Sequence, residues 1–294
     1  MAKDLYQEVT DRIVNLLESG IQPWAKDWST APGHGIPCNA VTNRRYNGIN
    51  VLLYWISAHK GYAQPRYLTF NQCRNEGGNV KKGSKGESVI LFQPKKITVT
   101  NKTTGEPEEK NVAFIRGFTV FNVDQCENLP EKIVNGPKAK ELNKDERMAE
   151  ADEFIKTSGA DFREGKGEPM YIPSKDYVTV PNFKQFHSKE SYYHAAFHEL
   201  AHWTGHKSRL DRNFKSRFDK EEYAMEELVA ELTAAFLCAE FGLKGYETNN
   251  AAYLASWIKV LKNDKRAIFT AVSAAQKAAD FLRGKALAED KEAA

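Results

Sequence analysis

The chain has 294 residues, of which 41% are hydrophobic and 28% charged, with a formal net charge of +3. These values exclude a disordered or collagen-like chain and suit one large domain or two ordinary ones. The near-neutral balance implies no particular partner, and no run of ~18 uninterrupted apolar residues predicts a membrane span.

In chain order, residues 3–19 predict an amphipathic helix. Leu5, Val9, Ile13, Leu16 and Leu17 fall on one stripe, and Gly20 stops it. Residues 21–45 read as irregular, and 48–59 as a buried helix. A short helix is expected around Asn71 to Glu76, with Gly77-Gly78-Asn79 as a turn. Ser88 to Gln93 and Lys96 to Thr100 read as two strands, followed by a hairpin-like turn at Asn101 to Gly105 and a third strand from Asn111 to Asn122. The first ~125 residues are therefore expected to be α+β with an antiparallel sheet.

Residues 127–144 read as a polar linker into a helix near Glu146 to Thr157. Met170 to Pro181 carries strand-like alternation. Helices then dominate, at 189–205, 220–241, 250–262 and 265–283, and the tail from Ala286 is expected to fray. The fold class expected is α+β in two domains: residues 1–126 with an antiparallel sheet, and a mainly helical domain at 145–290.

Cys38, Cys73, Cys126 and Cys238 form no C-x-x-C pair. They predict neither a disulfide framework nor a zinc knuckle, which favours a reduced, cytoplasmic compartment. Met1 to Tyr6 has no long apolar run behind its positive charge, so no secretory signal is expected.

The segment His198-Glu199-Leu200-Ala201-His202 is an H-E-x-x-H motif. On a helix, positions i and i+4 stand one above the other, so two imidazoles can share one metal ion. Glu199 then faces the same cavity as a general base for an activated water. Flanking apolar residues from Tyr192 to Phe197 support a buried helix, which two unpaired histidines in a core would not explain as well.

A third protein ligand is expected, leaving one position for water. The extended pattern H-E-x-x-H-x-x-G-x-x-H fails, because Gly205 fits but Ser208 stands where a histidine is needed. His206 is a weaker candidate, since Gly205 breaks the helix before it. The other source is the apolar helix around Glu226-Glu227-Leu228-Val229-Ala230-Glu231, where acidic residues are costly unless paired. Glu227 is the favoured ligand, and Glu231 on the same face would orient a ligating histidine. The sequence leaves Glu226 or Glu231 open as the ligand. The metal expected is Zn2+, with Mn2+ or Co2+ also compatible with such donors.

The N-terminal half has a different character. Residues 1–120 hold 16 Lys/Arg against 10 Asp/Glu. Arg44, Arg45, Tyr46, Asn47 and Asn50 mix cations, a ring and amides. Lys81, Lys82 and Lys85 lie in a glycine-containing turn, Arg116 sits in a strand among aromatics, and Trp55 is a further ring. Cations along phosphates and rings against bases is how single-stranded nucleic acid is held, at roughly 1–3 kcal/mol per stacked base.

The chain resembles the ArdC-type antirestriction proteins of conjugative plasmids. The resemblance rests on Arg45 to Asn50, Tyr67 to Phe70, Gly77 to Gly86, Phe121 to Gln125, His198 to His206 and Tyr223 to Leu232. It implies an N-terminal domain that binds single-stranded DNA and a C-terminal zincin-like metallopeptidase domain. It also implies a role in shielding incoming DNA from restriction endonucleases, with an endonuclease or another protein as a possible peptidase substrate. The alternative is a non-enzymatic DNA-binding or interaction protein whose metal site is structural.

Overall fold

The computed structural model describes residues 4–25, 35–58, 60–100, 106–135, 148–212, 220–244 and 251–284. The turn expected at Asn101 to Gly105, the tail from Ala286 and residues 136–144 of the expected linker lie outside them. Within them the N-terminal part runs α1 (Leu5–Glu18), β1 (Cys38–Asn39), α2 (Ile49–Ala58), β2 (Arg66–Leu68), α3 (Phe70–Asn75), β3 (Asn79–Val80), β4 (Glu87–Thr100), β5 (Pro107–Asn122), β6 (Cys126–Glu127) and α4 (Glu131–Asn135). The C-terminal part runs α5 (Ala149–Thr157), β7 (Asp161–Gly165), β8 (Met170–Ile172), β9 (Tyr177–Pro181), α6 (Lys189–Thr204), α7 (Lys220–Glu240), α8 (Ala251–Asn263) and α9 (Ala267–Leu282). The class is α+β, with a mainly helical C-terminal side.

Helix α1 starts at Asp4, whose carboxylate accepts the backbone N–H groups of Tyr6 and Gln7. Its buried stripe, Val9, Ile13 and Leu17, joins α2 and the helices α7, α8 and α9 in one hydrophobic core. The two ends of the chain are thus tied together, and Thr10 also donates to the carbonyl of Lys265 at 2.9 Å.

The main sheet has the order β1-β2-β5-β4, with β4 and β5 antiparallel along their whole length. One continuous strand replaces the two expected at 88–93 and 96–100. Pro94 lies within it, opposite Ala113, and an edge strand such as β4 is where a sheet tolerates proline. Asn50 clamps this strand from α2: its amide donates to the Ile90 carbonyl at 2.8 Å and accepts the Ile90 N–H at 2.7 Å.

A second core surrounds α6. Tyr192, Tyr193, Ala196, Phe197 and Leu200 bury against α5, β9 and the Ala234–Leu237 turn of α7. The adjoining small sheet has the order β7-β9-β8, which leaves β8 at its edge. Strands β8 and β9 fall within the expected Met170 to Pro181, whereas β1, β2, β3, β6 and β7, of five residues or fewer, were not expected. Such short segments carry too little periodicity to be read from sequence. No helix among the described residues is long and apolar enough to cross a membrane.

Candidate metal centre

Helix α6 begins at Ser188, whose hydroxyl accepts the N–H of Ser191 at 3.1 Å, and ends at Gly205. Its apolar face is fixed by the second core, so the opposite face, bearing His194, His198 and His202, turns towards α7. That helix brings Glu226, Glu227 and Glu231 against the three imidazoles.

Each carboxylate has its own role. Glu227 faces both histidines of the motif: Oε2 lies 3.5 Å from His198 Nε2, and Oε1 lies 3.5 Å from His202 Nε2. The two Nε2 atoms are 3.1 Å apart. Zinc bonds of ~2.0–2.1 Å in a tetrahedron put neighbouring donors about 3.3 Å apart. His198, His202 and Glu227 therefore have the spacing and chemistry of three corners of such a site. Glu231 sits behind, fully buried, with Oε2 3.5 Å from His198 Nδ1 and 3.2 Å from His194 Nε2. Glu226 approaches His202 Nδ1 at 3.2 Å. Both motif imidazoles thus have Nδ1 held by a carboxylate while Nε2 points at Glu227, which fixes their orientation.

The electrostatics follow from this crowding. Burial opposes charge on Glu227, but the hydrogen bond from His198 and the nearby His202 hold its carboxyl below the ordinary range. Glu231 is likewise buried yet held low by His194 and His198. Glu226 is buried too, and His202 with Arg212 lowers it. Burial pushes His198 down, but Glu227 and Glu231 outweigh it and raise it well above its usual value.

Arg212 was not expected from the sequence. It forms a two-toothed contact with Glu226, Nε to Oε2 at 3.0 Å and Nη2 to Oε1 at 2.9 Å. It also donates to the Ala201 carbonyl and the Thr204 hydroxyl. The end of α6 is thereby bolted to the acid that orients His202. His194 could have been found, since it precedes His198 by one helical turn. Arg212 carries no such signal, because it lies outside both α6 and α7 and shares no helical period with Glu226.

Glu199 is half-buried at the mouth, and its Oε2 accepts the Tyr171 backbone N–H at 2.6 Å. Tyr171 lies on the outer edge of β8, so that edge faces the motif. Its hydroxyl donates to Asp176, which Arg209 grips at 2.6 and 3.0 Å while its guanidinium stacks on Trp203. A cavity of about 900 Å³ opens here, with Met170, Tyr171, Glu199, Tyr223 and Tyr253 in its walls. Tyr223 also helps to hold the Glu227 carboxyl low, and its hydroxyl lies 3.2 Å from the Tyr253 hydroxyl. His206 lies past the helix end, with Nδ1 2.8 Å from the Ser208 hydroxyl, and it belongs to neither ligand-spaced group among the described residues.

The residues expected at a nucleic-acid face divide. Arg44, Asn47, Lys82, Lys85 and Arg116 are exposed. Arg45 is exposed and within 3.5 Å of Glu240, and Lys81 donates to the Asp124 carbonyl. Two expectations are corrected. Trp55 is 1% exposed, packs on Phe236 and donates to the Gly35 carbonyl, so its ring is core. Asn50 is buried in its clamp on Ile90, with both ends of its amide engaged. Tyr46 is half-buried against Tyr54, ring centroids 4.6 Å apart, which leaves only part of its ring accessible.

Comparison with known proteins agrees with this geometry. Residues 149–274 match the family of zincin-like metallopeptidases, and residues 3–121 match the N-terminal domain of anti-restriction factor ArdC. The chain is 35% identical to protein y4eC of Sinorhizobium fredii, over 95% of this chain and 91% of that one. It is also 35% identical to the DNA primase TraC of Escherichia coli over 95% of its length, but spans only 27% of that protein. The metal-free crystal structure of the antirestriction ArdC protein from plasmid R388 superposes with a TM-score of 0.79 at 42% identity, covering 96% of this chain and 97% of that one. The Mn(II)-bound form superposes at 0.77 and 40% identity, covering 98% and 100%. With both halves matched in order along one chain, the protein belongs to the ArdC antirestriction family.

Proposed function

We propose that this protein is an antirestriction factor that binds single-stranded DNA without strong sequence preference and carries a metal-dependent peptidase site. In this reading residues 1–126 hold DNA and 145–290 hold the metal and the reaction centre, while the first half of the expected linker, through α4, packs on the N-terminal side with Ile133 in its core. The observation that carries the peptidase reading is the convergence of His198, His202 and Glu227 beside Glu199, at a cavity walled by an open strand edge.

His198, His202 and Glu227 would hold a divalent cation, whose Lewis acidity would serve to activate a water and polarise a carbonyl. Zn2+ suits the donors, and Mn2+ or Co2+ are compatible. The Mn(II)-bound relative supports a divalent ion of this group. Glu199 stands where it can take the water's proton and deliver it to the leaving amine. The Tyr171 N–H on Oε2 fixes the carboxylate towards the cleft.

The biological partners in this reading are single-stranded DNA and a protein substrate, with restriction endonucleases as candidates. The relatives' names, antirestriction protein and DNA primase, support a setting on plasmid DNA in the cytoplasm. The test is antirestriction in recipient cells with Glu199→Gln, alongside metal content and oligonucleotide binding of the purified variant. Loss of protection with metal and DNA binding intact supports the peptidase reading. Full protection by Glu199→Gln overturns it, and leaves a DNA-coating protein with a structural metal.

A further inference from the structure

Beyond the basic turn, the β4–β5 hairpin has an open face that the fold does not use. Its register sets Leu91 opposite Arg116 and Val89 opposite Phe118. Residues i and i+2 of a strand share a face, so Arg116 and Phe118 project together beside Leu91. Val89 is buried under the neighbouring tyrosines, whereas Leu91 is 44% and Phe118 37% exposed. On the opposite face Ile90 is buried, Leu5 lies beside Gly117, and Phe92, though 48% exposed, already meets the Phe269 ring. Arg116 is exposed and forms no ion pair or hydrogen bond with any described residue.

We infer that this face is a base-stacking platform for single-stranded DNA, with the Phe118 ring against a base, Leu91 flanking it and Arg116 on the adjacent phosphate. The inference rests on the proposed DNA-binding reading and places it on particular residues. Three observations select this occupant. A cation free of acidic partners between two exposed apolar groups matches a polymer that alternates phosphate and base. Base faces are available in a single strand and hidden in a duplex. The platform also continues the basic turn, because Lys85 precedes β4 by two residues, and six residues of strand from Lys85 to Leu91 span roughly 20 Å. The acid on that path, Glu87, is buried and held by Lys60 and by Arg12 at 3.5 Å, so it does not repel the phosphates.

The test is fluorescence anisotropy of a labelled oligothymidylate of about 16 nucleotides across a salt series, on the full chain with its metal. Phe118→Ala is expected to weaken binding roughly five- to 150-fold with little change in salt slope, and Phe118→Trp to restore it. Arg116→Gln should lower the slope by about 0.7. Phe70→Ala, which removes a still more exposed ring on α3, serves as the control and should bind normally. Wild-type affinity in Phe118→Ala overturns the platform, as does an equal loss of affinity for duplex DNA. Dissociation of a dimer by Phe118→Ala without DNA would assign the face to a second copy and also overturn it. Failure of the wild type to bind any oligonucleotide would instead sink the DNA-binding reading itself.

Discussion

His194 and His198 meet on a single oxygen of Glu231, Nε2 of the first at 3.2 Å and Nδ1 of the second at 3.5 Å. A carboxylate this deeply buried would be unfavourable alone. Here it locks His198 so that Nε2 is the atom offered to the metal. Glu231→Gln and His194→Gln should each weaken metal binding by about 10- to 100-fold, the usual cost of losing such a support. Competition against a chromophoric chelator measures this, and affinity within twofold of wild type for both would rule the relay out.

Metal binding should be strongly pH-dependent. Burial works against a charged His198, but Glu227 and Glu231 raise its pKa well above the usual value, so the metal-free protein holds that proton near neutrality. Metal must displace it. Apparent affinity is therefore expected to rise with pH and level off above the raised pKa. Calorimetry in buffers of different ionisation enthalpy should detect proton release at pH 7, and its absence would contradict the arrangement.

Glu199→Gln should retain one metal per chain, since Glu199 belongs to no ligand-spaced group. Removing a general base costs typically 10²- to 10⁴-fold in rate. Elemental analysis and cleavage of a candidate partner protein provide the two readouts. Loss of the metal itself would place Glu199 in the ligand set instead.

Arg212 and Glu226 are both nearly buried, with side-chain exposures of 13% and 10%. Arg212→Met strands a buried charge and should cost about 3–5 kcal/mol in urea unfolding. Adding Glu226→Gln should recover part of that loss. A double variant no more stable than Arg212→Met would show that the ion pair is not what the arginine supports.

The clamp of Asn50 on β4 predicts a separation of stability from binding. Asn50→Ala leaves two backbone groups of Ile90 without these partners, at a cost of about 1–3 kcal/mol each if they stay dry. Thermal unfolding should show the loss, while oligonucleotide affinity of the folded variant stays near wild type. A selective loss of DNA binding would return Asn50 to the interface.

The sequence by itself determined the long helices and the pairing of His198 with His202, because helical period places i and i+4 on one face whatever the surroundings. It also determined that acids in the apolar segment of α7 needed partners. Tertiary structure decided which acid met which imidazole. The crossing of α6 and α7 set Glu227 before both Nε2 atoms, Glu231 behind His198, and Glu226 between His202 and Arg212. Spacing favoured Glu227 with Glu231 behind it, but it left Glu226 and Glu231 open as ligands, since their roles depend on an angle between helices. The same holds for Asn50 and Trp55, polar and aromatic in a segment beside cations, yet drawn inward by a strand edge and by Phe236. Local period is written in neighbouring residues, whereas burial depends on what long-range packing brings to the other side.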